Sequence, residues 1–115
     1  MGNFFHSTRE MMKIYLDDIR EPVQAKEDGW VVVKTAEEAI ILLQTNQVTE
    51  ISLDHDLGTI KTGNDVLLWI DEQAHTNPAF QIPIIYLHTM NPVACRNMRF
   101  TVKELDKMRK QNLSH

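Results

Sequence analysis

Three aspartates stand directly after two predicted strands. Asp17 and Asp18 follow the apolar run at residues 14–16, and Asp54 follows a second run at residues 50–53. Both runs suit buried parallel strands, whose carboxyl ends meet at one edge of a sheet. Carboxylates gathered there repel one another unless a cation or protonation relieves them, so we expect a divalent metal, Mg²⁺ or alternatively Mn²⁺. A purely structural role in capping turns is the alternative for one or two of the aspartates.

Two histidines could move protons at the same edge. His55 directly follows Asp54, and His88 directly follows the predicted fourth strand at residues 83–87. Imidazoles exchange protons near neutral pH, so a pair beside an acidic pocket suits general acid and base catalysis. Either histidine could instead be structural, and the spacing does not decide whether His55, His88 or Asp56 acts as the base.

Further polar residues at this edge could bind a phosphate. Asn91 and Pro92 are expected to open the last helix, whose free backbone N–H groups then point toward the strand ends, although plain capping explains the pair equally well. Arg20 could clamp a phosphate through two hydrogen bonds or pair with a nearby aspartate, and the sequence favours neither. Asp56 and Thr89 complete the set expected to contact a substrate.

The elements that must position these residues alternate between strands and helices. A β-branched run at residues 30–33 predicts another strand, and the stretch before it leaves room only for a loop or one short helical turn. Thr35 with Glu38 is a capping box that opens a helix over residues 36–44. Further helices follow near residues 66–74 and from Asn91 onward. This alternation predicts a parallel sheet with right-handed crossovers.

The length and composition of the chain are those of one ordinary globular domain. The chain has 115 residues, of which 43% are hydrophobic and 24% charged, and its formal net charge is −4. We expect an N-terminal extension at residues 1–11 and a single domain at residues 12–115. The one cysteine and the absence of a long apolar run predict a cytoplasmic protein that does not enter a membrane.

The charge also narrows the range of partners. A net charge of −4 argues against extended nucleic-acid binding but leaves a small phosphorylated ligand open. Four basic residues cluster near the C-terminus, where we expect a solvated helix end rather than a binding patch. They are Lys103, Lys107, Arg109 and Lys110.

Four segments together resemble response-regulator receiver domains. They are YLDDIREP at residues 15–22, TAEEAI at 35–40, SLDHDLG at 52–58 and IPIIYLHTMNP at 82–92. The chain is more similar still to the variant called the cyclic-phosphate processing receiver-like domain. This resemblance covers residues 13–98 and implies a three-layer, flavodoxin-type α/β fold with about four parallel strands. The first crossover helix is expected to be short or absent and a fifth strand to be missing.

The resemblance also implies roles for individual residues. In receivers, the acidic pair after the first strand binds Mg²⁺ and the aspartate ending the third strand accepts a phosphoryl group, which places these roles on Asp17, Asp18 and Asp54. His88 falls where receivers have Ser or Thr, and no Lys-Pro pair follows it. In the variant family, segments like LDHDLG and H-[ST]-x-N-P replace those features, and the inferred activity is processing of cyclic phosphates.

The implied function is a metal-dependent phosphoesterase that opens a cyclic phosphate on a nucleotide or RNA end. Its metal would be held by Asp17, Asp18 and Asp54, while His55 and His88 move protons. A degenerate receiver that accepts phosphoryl groups or binds proteins in signalling is the alternative. A third interpretation is an interaction protein whose apolar helix faces form a homodimer.

Overall fold

The computed structural model describes residues 11–17, 23–54, 63–88 and 96–113. Its strands are β1 (Met12–Leu16), β2 (Trp30–Val33), β3 (Val48–Asp54) and β4 (Ile84–His88). Its helices are α1 (Val23–Glu27), α2 (Ala36–Leu43), α3 (Gly63–Thr76) and α4 (Arg96–Leu113). Strands and helices therefore alternate along the described residues, as the sequence pattern predicts.

The strands form one parallel sheet in the order β2-β1-β3-β4. This order is the start of the flavodoxin-type arrangement, so the receiver-like α/β fold class is confirmed. Helix α1 has only five residues, which agrees with the short first crossover expected from the sequence. Within the described residues the sheet contains four strands and no fifth.

One face of the sheet carries the hydrophobic core. Ile14, Leu16, Ile51 and Leu53 are fully buried, and the parallel register sets Ile14 beside Ile51 and Leu16 beside Leu53. Helix α3 contacts both α2 and α4, and all three helices contribute to this core. Their buried residues are Ala36, Ala39, Leu43, Val66, Leu67, Ile70, Met98 and Leu105.

The other face, which we call the aromatic face, carries Tyr15, Trp30 and Tyr86. Side chains alternate across a strand, so Tyr15 and Ser52 point away from the core residues on either side of them. The Trp30 ring meets Tyr15 edge-on at 6.2 Å between centroids and meets Tyr86 edge-on at 6.1 Å. Helix α1 lies on this side and leaves Tyr86 45% exposed.

Local signals explain where α2 begins. The Thr35 hydroxyl oxygen accepts a hydrogen bond from the Glu38 backbone N–H at 3.1 Å, and the Glu38 carboxylate accepts one from the Thr35 N–H at 3.2 Å. These bonds satisfy backbone donors that a helix start leaves free, so the predicted capping box is confirmed.

Several boundaries differ from the sequence prediction. Strand β3 starts at Val48 rather than at residue 50, because Val48 pairs with Met12 across a shift in register at the start of β1. Strand β4 starts at Ile84 rather than at Pro83, which lacks a backbone N–H for the ladder. The predicted start of the last helix at Asn91 lies outside the described residues, as does the predicted extension at residues 1–11 except for Met11.

Three basic residues of α4 pair with acidic neighbours on the same helix. Lys107 lies 3.4 Å from Glu104, and Asp106 contacts both Arg109 and Lys110. The hydrogen bond from Arg109, followed by that from Lys110, lowers the pKa of Asp106. Lys107 and Lys110 are 71% and 69% exposed, which agrees with a solvated helix face, whereas Arg109 is only 19% exposed.

Adjacent leucines in α3 allow a matched test of the core. Leu67 is fully buried and Leu68 is 51% exposed. We expect Leu67→Ala to lower the free energy of unfolding by about 2 to 5 kcal/mol, because it leaves a cavity. The same change at Leu68 should stay within about 0.5 kcal/mol. Urea denaturation of both variants measures the difference, and equal losses would contradict the position of the core face.

Candidate functional site

Strand register brings three of the predicted site residues to one edge of the sheet. Leu16 of β1 pairs with Leu53 of β3, so Asp17 and Asp54 follow at neighbouring positions. Asp54 in turn pairs with His88 at the end of β4. The other predicted site residues lie outside the described residues, as does the side chain of Asp54. They are Asp18, Arg20, His55, Asp56, Thr89 and Asn91.

Asp17 is a buried carboxylate at the end of β1. Its side chain is 1% exposed, and its backbone N–H donates a hydrogen bond to the Val33 carbonyl at 3.1 Å. That bond continues the β1–β2 ladder by one residue and holds the carboxylate below the surface. Burial of a charge is costly unless an opposite charge or hydrogen bonds compensate it, so the groups facing Asp17 matter.

His88 faces Asp17 from β4. Its Nε2 atom lies 3.6 Å from the Asp17 Oδ2 atom, a separation longer than a hydrogen bond but short enough for strong electrostatic attraction to an imidazolium. The His88 side chain is 19% exposed. The exposed part of this imidazole lies at the sheet edge, while its Nε2 atom is buried against Asp17.

Two residues of the aromatic face fix the orientation of the imidazole. The Ser52 Oγ atom lies 2.6 Å from His88 Nδ1, within hydrogen-bond distance. The Tyr15 ring stacks on His88 with 4.4 Å between centroids and 17° between planes. Both contacts restrict rotation of the ring, so Nδ1 stays toward Ser52 and Nε2 stays toward Asp17.

This arrangement keeps the imidazole in one position in both of its charge states. A serine hydroxyl can donate to a neutral Nδ1 or accept from a protonated one, so the Ser52 contact survives in both charge states of the imidazole. The imidazole of His88 can therefore carry a proton or give it up without losing its position.

Comparison with known families adds an independent observation. The family model of the cyclic-phosphate processing receiver domain matches residues 12–104. The chain belongs to that family. The match begins with the first residue of β1 and ends within α4, so this receiver family accounts for every strand of the described sheet.

Two further comparisons found nothing: neither a curated protein nor a solved structure matches this receiver domain. Within the part of the receiver domain that is described, no helix is long and apolar enough to cross a membrane.

The metal expected in this receiver domain can be tested only against part of its ligand set. Asp17 supplies a buried carboxylate oxygen, the kind of hard ligand that Mg²⁺ takes. Among the described side chains no group of three or more His, Cys, Asp or Glu forms a metal site. The other two expected ligands are the side chains of Asp18 and Asp54, which are not among the side chains that the structure describes. Asp17 therefore fits the role, and the complete trio remains a prediction.

Sequence reasoning missed Ser52 and Tyr15 as partners of His88. Ser52 is 6% exposed and stands between two fully buried apolar residues of β3. A polar side chain inside a buried strand needs a hydrogen-bond partner, which is the signal that could have identified it. The signal does not name the partner, because that depends on the register between strands 36 residues apart in sequence.

A double-mutant cycle tests the Ser52–His88 contact. We expect Ser52→Ala and His88→Ala to be coupled by about 1 kcal/mol in the free energy of unfolding. Either single change already removes the half-buried hydrogen bond, so the double variant should lose less than the sum of the two single losses. His75 provides the control, because its exposed side chain lies at the end of α3 and contacts Asp71 instead. Coupling below about 0.5 kcal/mol for Ser52 with His88, as expected for Ser52 with His75, would contradict the contact.

Proposed function

We propose that this receiver-family domain is a metal-dependent phosphoesterase that opens a cyclic phosphate on a nucleotide or RNA end. The contact between Asp17 and His88 carries the proposal, because a buried carboxylate and an imidazole meet 3.6 Å apart at the ligand-binding edge of the sheet. Membership of a family associated with cyclic-phosphate processing supplies the substrate class. A phosphorelay switch requires neither this imidazole nor its Ser52 partner.

In this proposal His88 is the proton donor to the leaving oxygen. The imidazolium holds its Nδ1 proton against Ser52 Oγ and its Nε2 proton beside Asp17. When the ring P–O bond breaks, the imidazolium passes a proton to the departing alkoxide oxygen and becomes a neutral imidazole. The Tyr15 ring stacked on His88 keeps the imidazole in one orientation throughout.

Asp17, Asp18 and Asp54 would hold the Mg²⁺ or Mn²⁺ ion, and a bound ion would polarise the phosphate for attack. His55 would take the proton from the attacking water. Arg20, Asp56, Thr89 and Asn91 would contact the phosphate or the rest of the substrate. The metal ligands follow the family resemblance, whereas His55 as the base and Arg20 as a phosphate contact belong to the proposal alone.

Turnover assays test the proposal directly. Purified protein with Mg²⁺ or Mn²⁺ should hydrolyse one class among 2′,3′-cyclic nucleotides, 3′,5′-cyclic nucleotides and RNA ending in a cyclic phosphate. We expect His88→Ala to lower kcat by about 100-fold to 10,000-fold, as loss of a general acid does. Asp54→Ala should abolish the metal-dependent product.

The control for these assays is His75→Ala, which removes an exposed histidine that contacts Asp71 in the last turn of α3 and should leave kcat unchanged. Full turnover by His88→Ala would overturn the assigned role. If no substrate is hydrolysed and acetyl phosphate instead leaves a stable phosphoryl group on Asp54, the domain is a signalling receiver.

Melting temperatures test the metal without an assay of activity. A ligand that binds only the folded state stabilises it by about 2.7 kcal/mol at 100 times its Kd. We therefore expect Mg²⁺ to raise the melting temperature of the parent protein and to have little effect on Asp17→Asn. Asp71→Asn, which changes a partly exposed carboxylate on α3, should keep the full response. An equal response in all three proteins would exclude Asp17 as a ligand.

A further inference from the structure

A pocket of about 360 Å³ opens on the aromatic face next to His88. Its floor consists of Tyr15, Trp30 and Tyr86, and Ser52 lies between the tyrosines in register. Pockets for small molecules commonly reach this size and combine aromatic walls with a few polar groups. The pocket therefore has the size and lining of a ligand site rather than of a packing defect.

The pocket shares two residues with the proposed catalytic group. Tyr15 lines the pocket and also stacks on the imidazole of His88. Ser52 lines it as well and lies 2.6 Å from His88 Nδ1. A ligand held against the aromatic face thus lies immediately beside the group that transfers the proton. A larger pocket of about 450 Å³ lacks this connection, since Val48 and Ile84 at the opposite ends of the strands line it.

The aromatic rings are held in place by polar neighbours. The Tyr86 hydroxyl donates a hydrogen bond to the Glu50 carboxylate at 3.0 Å, and this bond is the main reason that the pKa of Tyr86 is raised. The Lys13 ammonium lies 5.0 Å from the centre of the Trp30 ring. Because these contacts fix the ring planes in advance, a flat ligand would stack without reordering them.

A negative charge at the rim of the pocket favours one orientation of a bound ligand. Asp28 lines the pocket, and its carboxylate accepts a hydrogen bond from the Gln24 side-chain amide at 3.1 Å. A carboxylate repels a phosphate and accepts hydrogen bonds from N–H groups, which nucleobases carry on their edges. The phosphate end of a ligand would therefore point away from Asp28, and the base would point toward it.

From these observations we infer that the pocket binds the nucleobase of the substrate, with the base stacked on the aromatic face and its cyclic phosphate directed to His88. The inference rests on the proposed function and extends it, because it names the place on the domain that holds the base of the nucleotide. Base stacking on aromatic side chains tolerates different bases, so several nucleosides should bind.

Fluorescence of Trp30 measures base binding without catalysis. The chain has two tryptophans, so Trp69→Phe leaves Trp30 as the single reporter. We expect guanosine and adenosine, which carry no phosphate, to quench this fluorescence saturably, and ribose to have no effect. In the same background, Tyr86→Leu should weaken nucleoside binding by at least about 5-fold, because one stacking partner is lost.

Two control variants separate stacking from other effects. Tyr86→Phe keeps the ring and removes the hydrogen bond to Glu50, so it should bind nucleosides nearly as well as the parent. Phe100→Leu removes an aromatic ring that is 67% exposed on α4, outside the pocket, and should change nothing. Absence of quenching by either nucleoside, or unchanged binding in Tyr86→Leu, would overturn the inference.

Hydrolysis of a base-free substrate distinguishes this inference from the proposed function. Glycerol 1,2-cyclic phosphate has the ester ring but no base, so we expect a KM at least about 5-fold higher than for a nucleoside 2′,3′-cyclic phosphate. Equal KM values with normal turnover would refute the base pocket and leave the phosphoesterase intact. Nucleoside quenching without hydrolysis of any cyclic phosphate would refute the phosphoesterase and leave the base pocket intact.

Discussion

A one-residue slip of β3 between its neighbours would dismantle both the core and the site. In the observed register Ile51 and Leu53 face the helices, while Ser52 faces His88. Because side chains alternate strictly across a strand, a slip would bury Ser52 in the core and expose the two apolar residues. The free energy gained by burying the core side chains therefore also fixes the register that makes the polar contacts of the site. The core and these contacts nevertheless lie on opposite faces of the sheet.

The short α1 explains why this sheet has an accessible second face. In a doubly wound fold both faces are normally covered by crossover helices. A five-residue helix covers only part of one face, and the aromatic side chains there remain partly exposed, Tyr86 most of all. Because α1 is so short, polar residues of α1 and of the turn after it lie at the rim of the open face, where they can contact a ligand.

Much of the fold could be predicted because its signals are local. The capping box at Thr35 identifies the start of α2 from residues three apart, and apolar runs identify each strand. Asp17 and His88 could be proposed as site residues because they stand at strand ends, which parallel sheets bring to one edge. Their direct contact could not be predicted in this way, because it depends on the order of the strands in the sheet. The roles of Ser52 and Tyr15 depend on register between distant segments, which no local pattern encodes.

The contact between Ser52, His88 and Asp17 draws on three strands, and β4 is an edge strand within the described sheet. Edge strands that carry partly exposed side chains open locally at a lower free energy than buried central strands. Release of β4 would carry the imidazole away from its two partners while β1, β3 and their helices stayed folded. The lifetime of these contacts is then set by the fraying of one strand, so they can be lost reversibly at temperatures where the core is still intact.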